Sequence, residues 1–241
     1  MLLAAAGANQ AQAGDRWTGL YFGGNLGSTA TEVDLKPGFK DDFKIVNDDI
    51  DAFYLKTGRA SFSSDTFTGG GQLGYAEQFG QMVLGIEADF DFLDADASRH
   101  AETVLDATRT LVSDDRVSSD WLLTLRPRVG FVSGSFLGYV TGGLAISNVD
   151  FDHSVNLTFN NGGTPVTGQF SESKTLTGWT IGGGAEYALD KNWSIKGEYL
   201  YVDLGSIGGS SELTTLSKPV LESSDAEIVH HVGRAGVNYR F

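Results

Sequence analysis

Eight segments of this chain alternate between apolar and polar side chains, and one face of each segment stays uncharged along its length. In MVLGIEADFDF, which begins at Met82, every second residue is apolar, and three acidic residues lie between them. A repeat of two is the period of a β-strand. The pattern therefore predicts an all-β chain with eight strands, and ten strands are the alternative. The predicted strands are Trp17–Thr29, Thr66–Phe79, Met82–Leu93, Ser119–Val132, Phe136–Ser147, Thr175–Leu189, Trp193–Leu204 and Glu227–Phe241.

Three features indicate that the apolar faces point outward, toward lipid. The uncharged faces run for about ten residues, which is the length that a tilted strand needs to cross a bilayer. The connections alternate between tight turns and long polar segments, near residues 30–65, 94–118, 148–174 and 205–226. Aromatic residues cluster at strand ends, as they do at the two interfaces of a membrane. These aromatic residues are Trp17, Tyr75, Phe79, Phe92, Trp121, Phe131, Trp179, Tyr187, Trp193, Tyr239 and Phe241.

The predicted fold is therefore an eight-stranded antiparallel up-and-down transmembrane β-barrel with short periplasmic turns and long extracellular loops. Both termini are expected in the periplasm. Residues 1–13 contain a short apolar run that ends in Ala11-Gln12-Ala13, the pattern of a signal-peptide cleavage site. We therefore interpret 1–13 as the remnant of a signal peptide and 14–241 as the barrel; a disordered linker is the alternative for the first segment.

The polar faces of the strands place charged residues inside this barrel. Eight strands enclose an interior that side chains just fill. Buried charges are costly unless they are paired, so equal numbers of acids and bases predict an interior network of ion pairs that fills the lumen. A gated ion path through the same residues is the alternative. The network residues are Glu87, Asp89, Asp91, Arg126, Arg128, Glu186, Lys196, Glu198, Arg234 and Arg240.

Composition argues against several other functions. The net charge of −14 does not suit a nucleic-acid partner. The absence of cysteine excludes a thiolate metal site and a cysteine nucleophile. No nucleophile motif accompanies the histidines, so we expect no enzymatic activity and no resident cofactor. His100 and His153 fall in predicted outer loops and are candidates for binding haem or a metal, with solvated loop residues as the alternative.

Five blocks carry a resemblance to a known family: WTGLYFGGNLG, GGGQLGYAEQFGQMVLGIEADF, YVTGGLAI, GWTIGGGAEYALDKNWSIKGEYLYVDLG and VGRAGVNYRF. With them the chain resembles the small outer-membrane β-barrel proteins of alphaproteobacteria, the immunogenic porin-like relatives of the OmpA-type barrel. The resemblance implies a bacterial outer-membrane location, with outer-membrane lipid and lipopolysaccharide as partners. It also implies that the barrel-assembly machinery recognises the C-terminal strand through Phe241 and Tyr239.

The expected function is a structural role in envelope integrity, with loops exposed at the cell surface. A narrow porin for small solutes or ions is the first alternative. Binding of haem or of a host molecule through the loops is the second.

Overall fold

The computed structural model describes residues 16–40, 59–213 and 220–241. Within these residues, eight antiparallel strands form one closed barrel in which each strand pairs with its neighbours in sequence and β1 pairs with β8. This confirms the predicted number and order of the strands and their antiparallel pairing. The predicted signal remnant lies outside the described residues. The strands are β1 (Gly19–Lys40), β2 (Ala60–Phe79), β3 (Met82–Asp106), β4 (Arg109–Ser133), β5 (Phe136–Phe159), β6 (Val166–Ala188), β7 (Trp193–Leu213) and β8 (Val220–Arg240).

No helix in the described part of the chain is long and apolar enough to cross a bilayer.

Three short connections lie at one end of the barrel, together with Arg16 and Phe241. We call this the turn end, and the opposite end the far end. The β2–β3 and β4–β5 connections have two residues each, and in both the first is a glycine with a left-handed backbone: φ is 64° at Gly80 and 63° at Gly134. Glycine adopts this conformation without the steric cost that a Cβ atom would bring.

In the turn-end half of the barrel, the outward side chains are apolar and mostly exposed, except Glu77 and Ser133 near the turns. Ile86 and Leu125, for example, are 48% and 47% exposed. An apolar band of this kind around a closed barrel faces the hydrocarbon of a bilayer, and we call it the belt. On the far side the belt ends at Leu26, Phe67, Phe92, Trp121, Ile146, Trp179, Tyr201 and Gly233.

Ten of the eleven aromatic residues predicted to form the girdles lie on the outer surface of the barrel. The exception is Trp17, whose predicted position was wrong. Trp17 precedes β1 and is only 1% exposed, because its side chain enters the lumen at the turn end.

Beyond the belt, the strands continue further than predicted and form a second region, which we call the collar. β3 runs to Asp106 and β4 begins at Arg109. The segments predicted as loops at 94–118 and 148–174 are therefore mostly strand, joined by short connections at 107–108 and 160–165.

The collar reverses the polarity of the belt. On β3, Asp94 and Asp96 point outward, whereas Leu93, Ala95 and Ala97 are buried inside. Apolar residues inside and polar residues outside are the arrangement of a β-barrel surrounded by water. The barrel thus has a lipid-facing half and a water-facing half with a change of polarity between them.

Candidate functional site

The lumen is the part of the barrel where polar and charged side chains converge, and it is filled in three layers. The central layer holds the charged residues. The far layer, which lies mostly inside the collar, is a cluster of eighteen buried apolar residues that includes Phe151 and Val149. The turn-end layer is formed by Trp17, Tyr21, Ala76, Val83, Val132, Leu137, Tyr139 and Ala188.

All ten charged residues predicted to point inward are buried in the lumen, and none is more than 6% exposed. Strand register places some acids directly opposite bases: Glu87 faces Arg126 across the β3–β4 pair, and Glu198 faces Arg234 across β7–β8. Other ion pairs join strands that are not neighbours, so they cross the lumen.

Arg126 is the centre of this layer. Its guanidinium donates to Asp89 Oδ2 at 2.7 Å, to Glu87 Oε1 at 3.0 Å and to Glu198 Oε1 at 3.1 Å. Its Nε donates to the hydroxyl of Thr124 at 3.1 Å. Since these acids lie on β3 and β7, one side chain from β4 links both sides of the barrel.

Arg234 makes a second bridge, from β8 to β3. Its Nη1 donates to Asp91 Oδ2 and its Nη2 to Asp89 Oδ1, both at 2.6 Å, and its Nε donates to Glu198 Oε2 at 2.9 Å. Charge-assisted bonds from a planar guanidinium fix the angle as well as the distance between the groups. Arg126 and Arg234 therefore fix the positions of β3, β4, β7 and β8 relative to one another across the lumen.

Glu87 joins the central layer to the turn-end layer. Its Oε1 accepts from Lys196 Nζ at 2.9 Å, and its Oε2 accepts from the hydroxyl of Tyr21 at 2.8 Å. Tyr21 fits here because its cross-strand partner is Gly74: a Cβ atom at Gly74 would lie 2.1 Å from the Tyr21 hydroxyl oxygen.

Arg128 is held by two carboxylates, those of Glu186 and Glu87, and by two aromatic rings. Its Nη1 donates to Glu186 Oε2 at 3.3 Å, while Nε and Nη2 have no hydrogen-bond partner. The guanidinium lies 4.6 Å from the centre of the Tyr21 ring and 5.4 Å from that of Tyr139. Cation–π attraction in a desolvated site offsets part of the missing hydrogen bonding.

Carboxylate oxygens of Glu87, Asp89 and Glu198 lie within 4.8 Å of one another, a spacing that would suit a metal ion. Each of these acids is already within 3.1 Å of a nitrogen of Arg126, and Lys196 and Arg234 add further contacts. Their charge is therefore balanced by the protein's own cations, and the arrangement is a closed ion-pair network.

Sequence reasoning missed the contribution of tyrosine and amide side chains to this network. The Tyr139 hydroxyl donates to Glu198 Oε1 at 3.0 Å. Gln72 donates through Nε2 to Asn238 Oδ1 at 2.8 Å and accepts from Asn25 Nδ2 at 2.9 Å. Their position on the polar face of a strand was the signal that could have identified them.

The two histidines considered for haem lie on strands, so their predicted location in loops was wrong. His100, on β3, points outward from the collar, and its Nδ1 lies 2.5 Å from Asp114 Oδ1. His153, on β5, points inward, and its Nδ1 lies 2.6 Å from Asp115 Oδ1. Because the two rings are on opposite faces of the wall, they cannot bind one haem iron together.

Hydrogen bonding to the Asp114 carboxylate, together with its negative charge, raises the pKa of His100 above its ordinary value.

The residues assigned to the assembly signal lie at the turn end. Tyr239 faces outward on β8, and Phe241, which is 69% exposed, directly follows that strand. Their rings meet edge to face, with the ring centres 5.2 Å apart. Both rings are therefore presented on the outer surface.

Comparison with known proteins agrees with this architecture. The family described as outer membrane protein beta-barrel domain matches residues 1–241. The chain is 33% identical to the 31 kDa outer-membrane immunogenic protein of Brucella melitensis biotype 1, over 93% of this chain and 84% of that protein. It is 32% identical to the 22 kDa outer membrane protein of Rhizobium leguminosarum bv. viciae, over 60% of this chain and 58% of that protein.

Among solved structures, the outer membrane protein OprG from Pseudomonas aeruginosa aligns with 93% of this chain and 96% of its own. The identity is 14% and the TM-score is 0.48. The family match over residues 1–241 and the 33% identity with the Brucella protein together establish the family. The chain therefore belongs to the outer membrane β-barrel family and is a protein of the bacterial outer membrane.

Proposed function

We propose that this protein is a non-conducting, non-enzymatic barrel that supports the integrity of the outer membrane and carries surface-exposed loops on its collar. The observation that carries this proposal is the filled lumen. Five acids and five bases, none more than 6% exposed, join β3, β4, β6, β7 and β8 through ion pairs. Apolar layers lie on both sides of them. An ion would have to displace paired side chains and also cross two apolar layers.

The proposed orientation puts the turn end, with both termini, in the periplasm and the collar outside the cell. Short turns on the periplasmic side and larger extensions on the outer side are the general arrangement of such barrels. The polar outer surface of the collar fits an aqueous surrounding. In this orientation the belt contacts outer-membrane lipid and lipopolysaccharide, while Tyr239 and Phe241 present their rings to the barrel-assembly machinery.

Conductance in planar bilayers tests the central claim. We expect the purified, folded barrel to insert without producing stable conductance steps. Steps with defined ion selectivity would favour the narrow porin instead. If steps occur, the variant Glu198→Gln shows whether ions pass through the charged layer, because loss of that carboxylate would then change cation selectivity.

Epitope tags test the orientation. A tag inserted at Thr108, in the β3–β4 connection, should be labelled on intact cells. A tag inserted at Gly134, in the β4–β5 connection, should be labelled only after the outer membrane is permeabilised. The reverse result would contradict the orientation without affecting the proposal of a closed lumen.

A further inference from the structure

Three residues before β1 cross the mouth of the barrel at its turn end. Arg16 reaches the β4–β5 connection, where its Nη1 donates to the Ser135 hydroxyl at 2.8 Å. At Trp17, the backbone N–H donates to Gln78 Oε1 at 3.2 Å, and Thr18 accepts from the Gln78 N–H at 3.0 Å. The segment is therefore fastened to two other parts of the rim.

The third attachment is to the last strand. Arg240 Nη1 donates to the backbone oxygen of Trp17 at 2.6 Å, and its guanidinium lies 5.4 Å from the centre of the indole ring. The backbone of Arg240 is bound in turn to the β6–β7 connection: its N–H donates to the Asn192 oxygen at 2.7 Å, and its oxygen accepts from Asn192 Nδ2 at 2.8 Å. The segment is thus bound to β2, to the β4–β5 connection and to β8, and through Arg240 it is linked to the β6–β7 connection.

The Trp17 side chain occupies the centre of this mouth. It is 1% exposed and belongs to the turn-end apolar layer with Val132 and Ala188. Apart from Trp17, every residue of that layer lies on a strand. Its indole is therefore the side chain of this layer that does not come from a strand of the barrel.

We propose that residues 16–18 form a strap that seals the turn-end mouth of the barrel. One of its three attachments joins it to the last strand, because Arg240 reaches Trp17 where β8 pairs with β1. Removing the strap should open the turn-end layer to water and leave the far layer closed.

Site-directed labelling tests the seal, because the sequence contains no cysteine and every introduced thiol reports alone. Ala188→Cys places a thiol in the turn-end layer, where Ala188 is 5% exposed. Ser133→Cys is an exposed reference at the same end, and Ala95→Cys reports on the far layer. A membrane-impermeant maleimide should label Ser133→Cys rapidly and the other two slowly.

Adding Trp17→Ala should accelerate labelling of Ala188→Cys by at least about tenfold, because the loss of a large buried aromatic exposes the layer that it covers. The labelling rates of Ser133→Cys and Ala95→Cys should not change. Arg16→Ala removes only the exposed hydrogen bond to Ser135 and should give a smaller acceleration at Ala188→Cys. This second variant keeps the test decisive if Trp17→Ala does not fold, which is checked by gel mobility without boiling.

Two results would overturn the strap. One is rapid labelling of Ala188→Cys in the otherwise unchanged protein, which would mean that the mouth is open. The other is slow labelling of Ala188→Cys in the folded Trp17→Ala and Arg16→Ala variants, which would mean that the strand residues alone seal the mouth. Neither result bears on conductance, since the central and far layers would still fill the lumen.

Discussion

The Nη2 atom of Arg126 lies 2.7 Å from Oδ2 of Asp89 at the centre of the barrel, and neither side chain is exposed to solvent. Removing both charges from water costs free energy, and their attraction offsets that cost only when the remaining hydrogen bonds are also made. Here they are made by Thr124, Glu87 and Glu198. The stability of the Arg126–Asp89 pair therefore depends on the surrounding hydrogen bonds, and the loss of any one residue of the network should weaken the remaining pairs.

Replacement of Arg126 by glutamine should strongly destabilise the barrel. It leaves Glu87, Asp89 and Glu198 with too few cations, and breaking a buried ion pair in this way costs about 3–5 kcal/mol. Urea unfolding in lipid vesicles measures the change. Arg116→Gln is the matched control, because Arg116 pairs with Asp96 on the exposed surface of the collar, where ion pairs contribute little. Equal unfolding free energies in the two variants would contradict the structural role of the network.

A second prediction concerns the space around Tyr21. Gly74→Ala should destabilise the protein by about 1–3 kcal/mol, the usual cost of overpacking, because the new Cβ atom would lie 2.1 Å from the Tyr21 hydroxyl oxygen. Gly138→Ala is the control, since a Cβ atom at Gly138 on β5 has no heavy atom within 4 Å. The unfolding midpoint should fall only in the first variant. A similar fall in both would mean that strand backbone effects outweigh the clash.

Much of the belt and of the charged layer was predictable because both depend on alternation alone. Once Ile86 is assigned to the lipid face, Glu87 must point inward, and the same parity applies along each strand. Individual partners were not predictable. Arg234 bonds Asp91 although 143 residues separate them, and the contact depends on how far the strands are staggered around the closed ring.

The collar was missed for a different reason. Across Asp94 and Asp96 the alternation continues, but the outward residues become acidic and the inward ones become small and apolar. A polar stretch after an aromatic girdle has the composition of a loop. The alternation of side chains shows which residues share a face, but it does not show whether the outward face contacts lipid or water. Trp17 was misplaced because it precedes the strand, so the alternation does not apply to it.

The change of polarity between belt and collar leads to a third prediction. Ile86→Arg, in the middle of the belt, should reduce folding into vesicles, since a cation at the bilayer midplane costs about 2–4 kcal/mol. Val104→Arg makes a similar change in the collar, where Val104 is 67% exposed on the outer face, and should fold as the parent does. The fraction that migrates as folded barrel without boiling measures both. Equal loss of folding would mean that lipid also surrounds the collar.

The last prediction concerns pH. Hydrogen bonding to Asp114 and the charge of that carboxylate raise the pKa of His100 above the ordinary value of about 6.5. A group whose pKa is raised by folding stabilises the protein most below its unfolded pKa, and the contribution disappears as pH rises through the folded pKa. The effect on stability should be small because the pair is exposed. NMR titration of the His100 ring should therefore give a midpoint above the ordinary value, and Asp114→Asn should lower that midpoint. An unchanged midpoint in Asp114→Asn would exclude Asp114 as the cause.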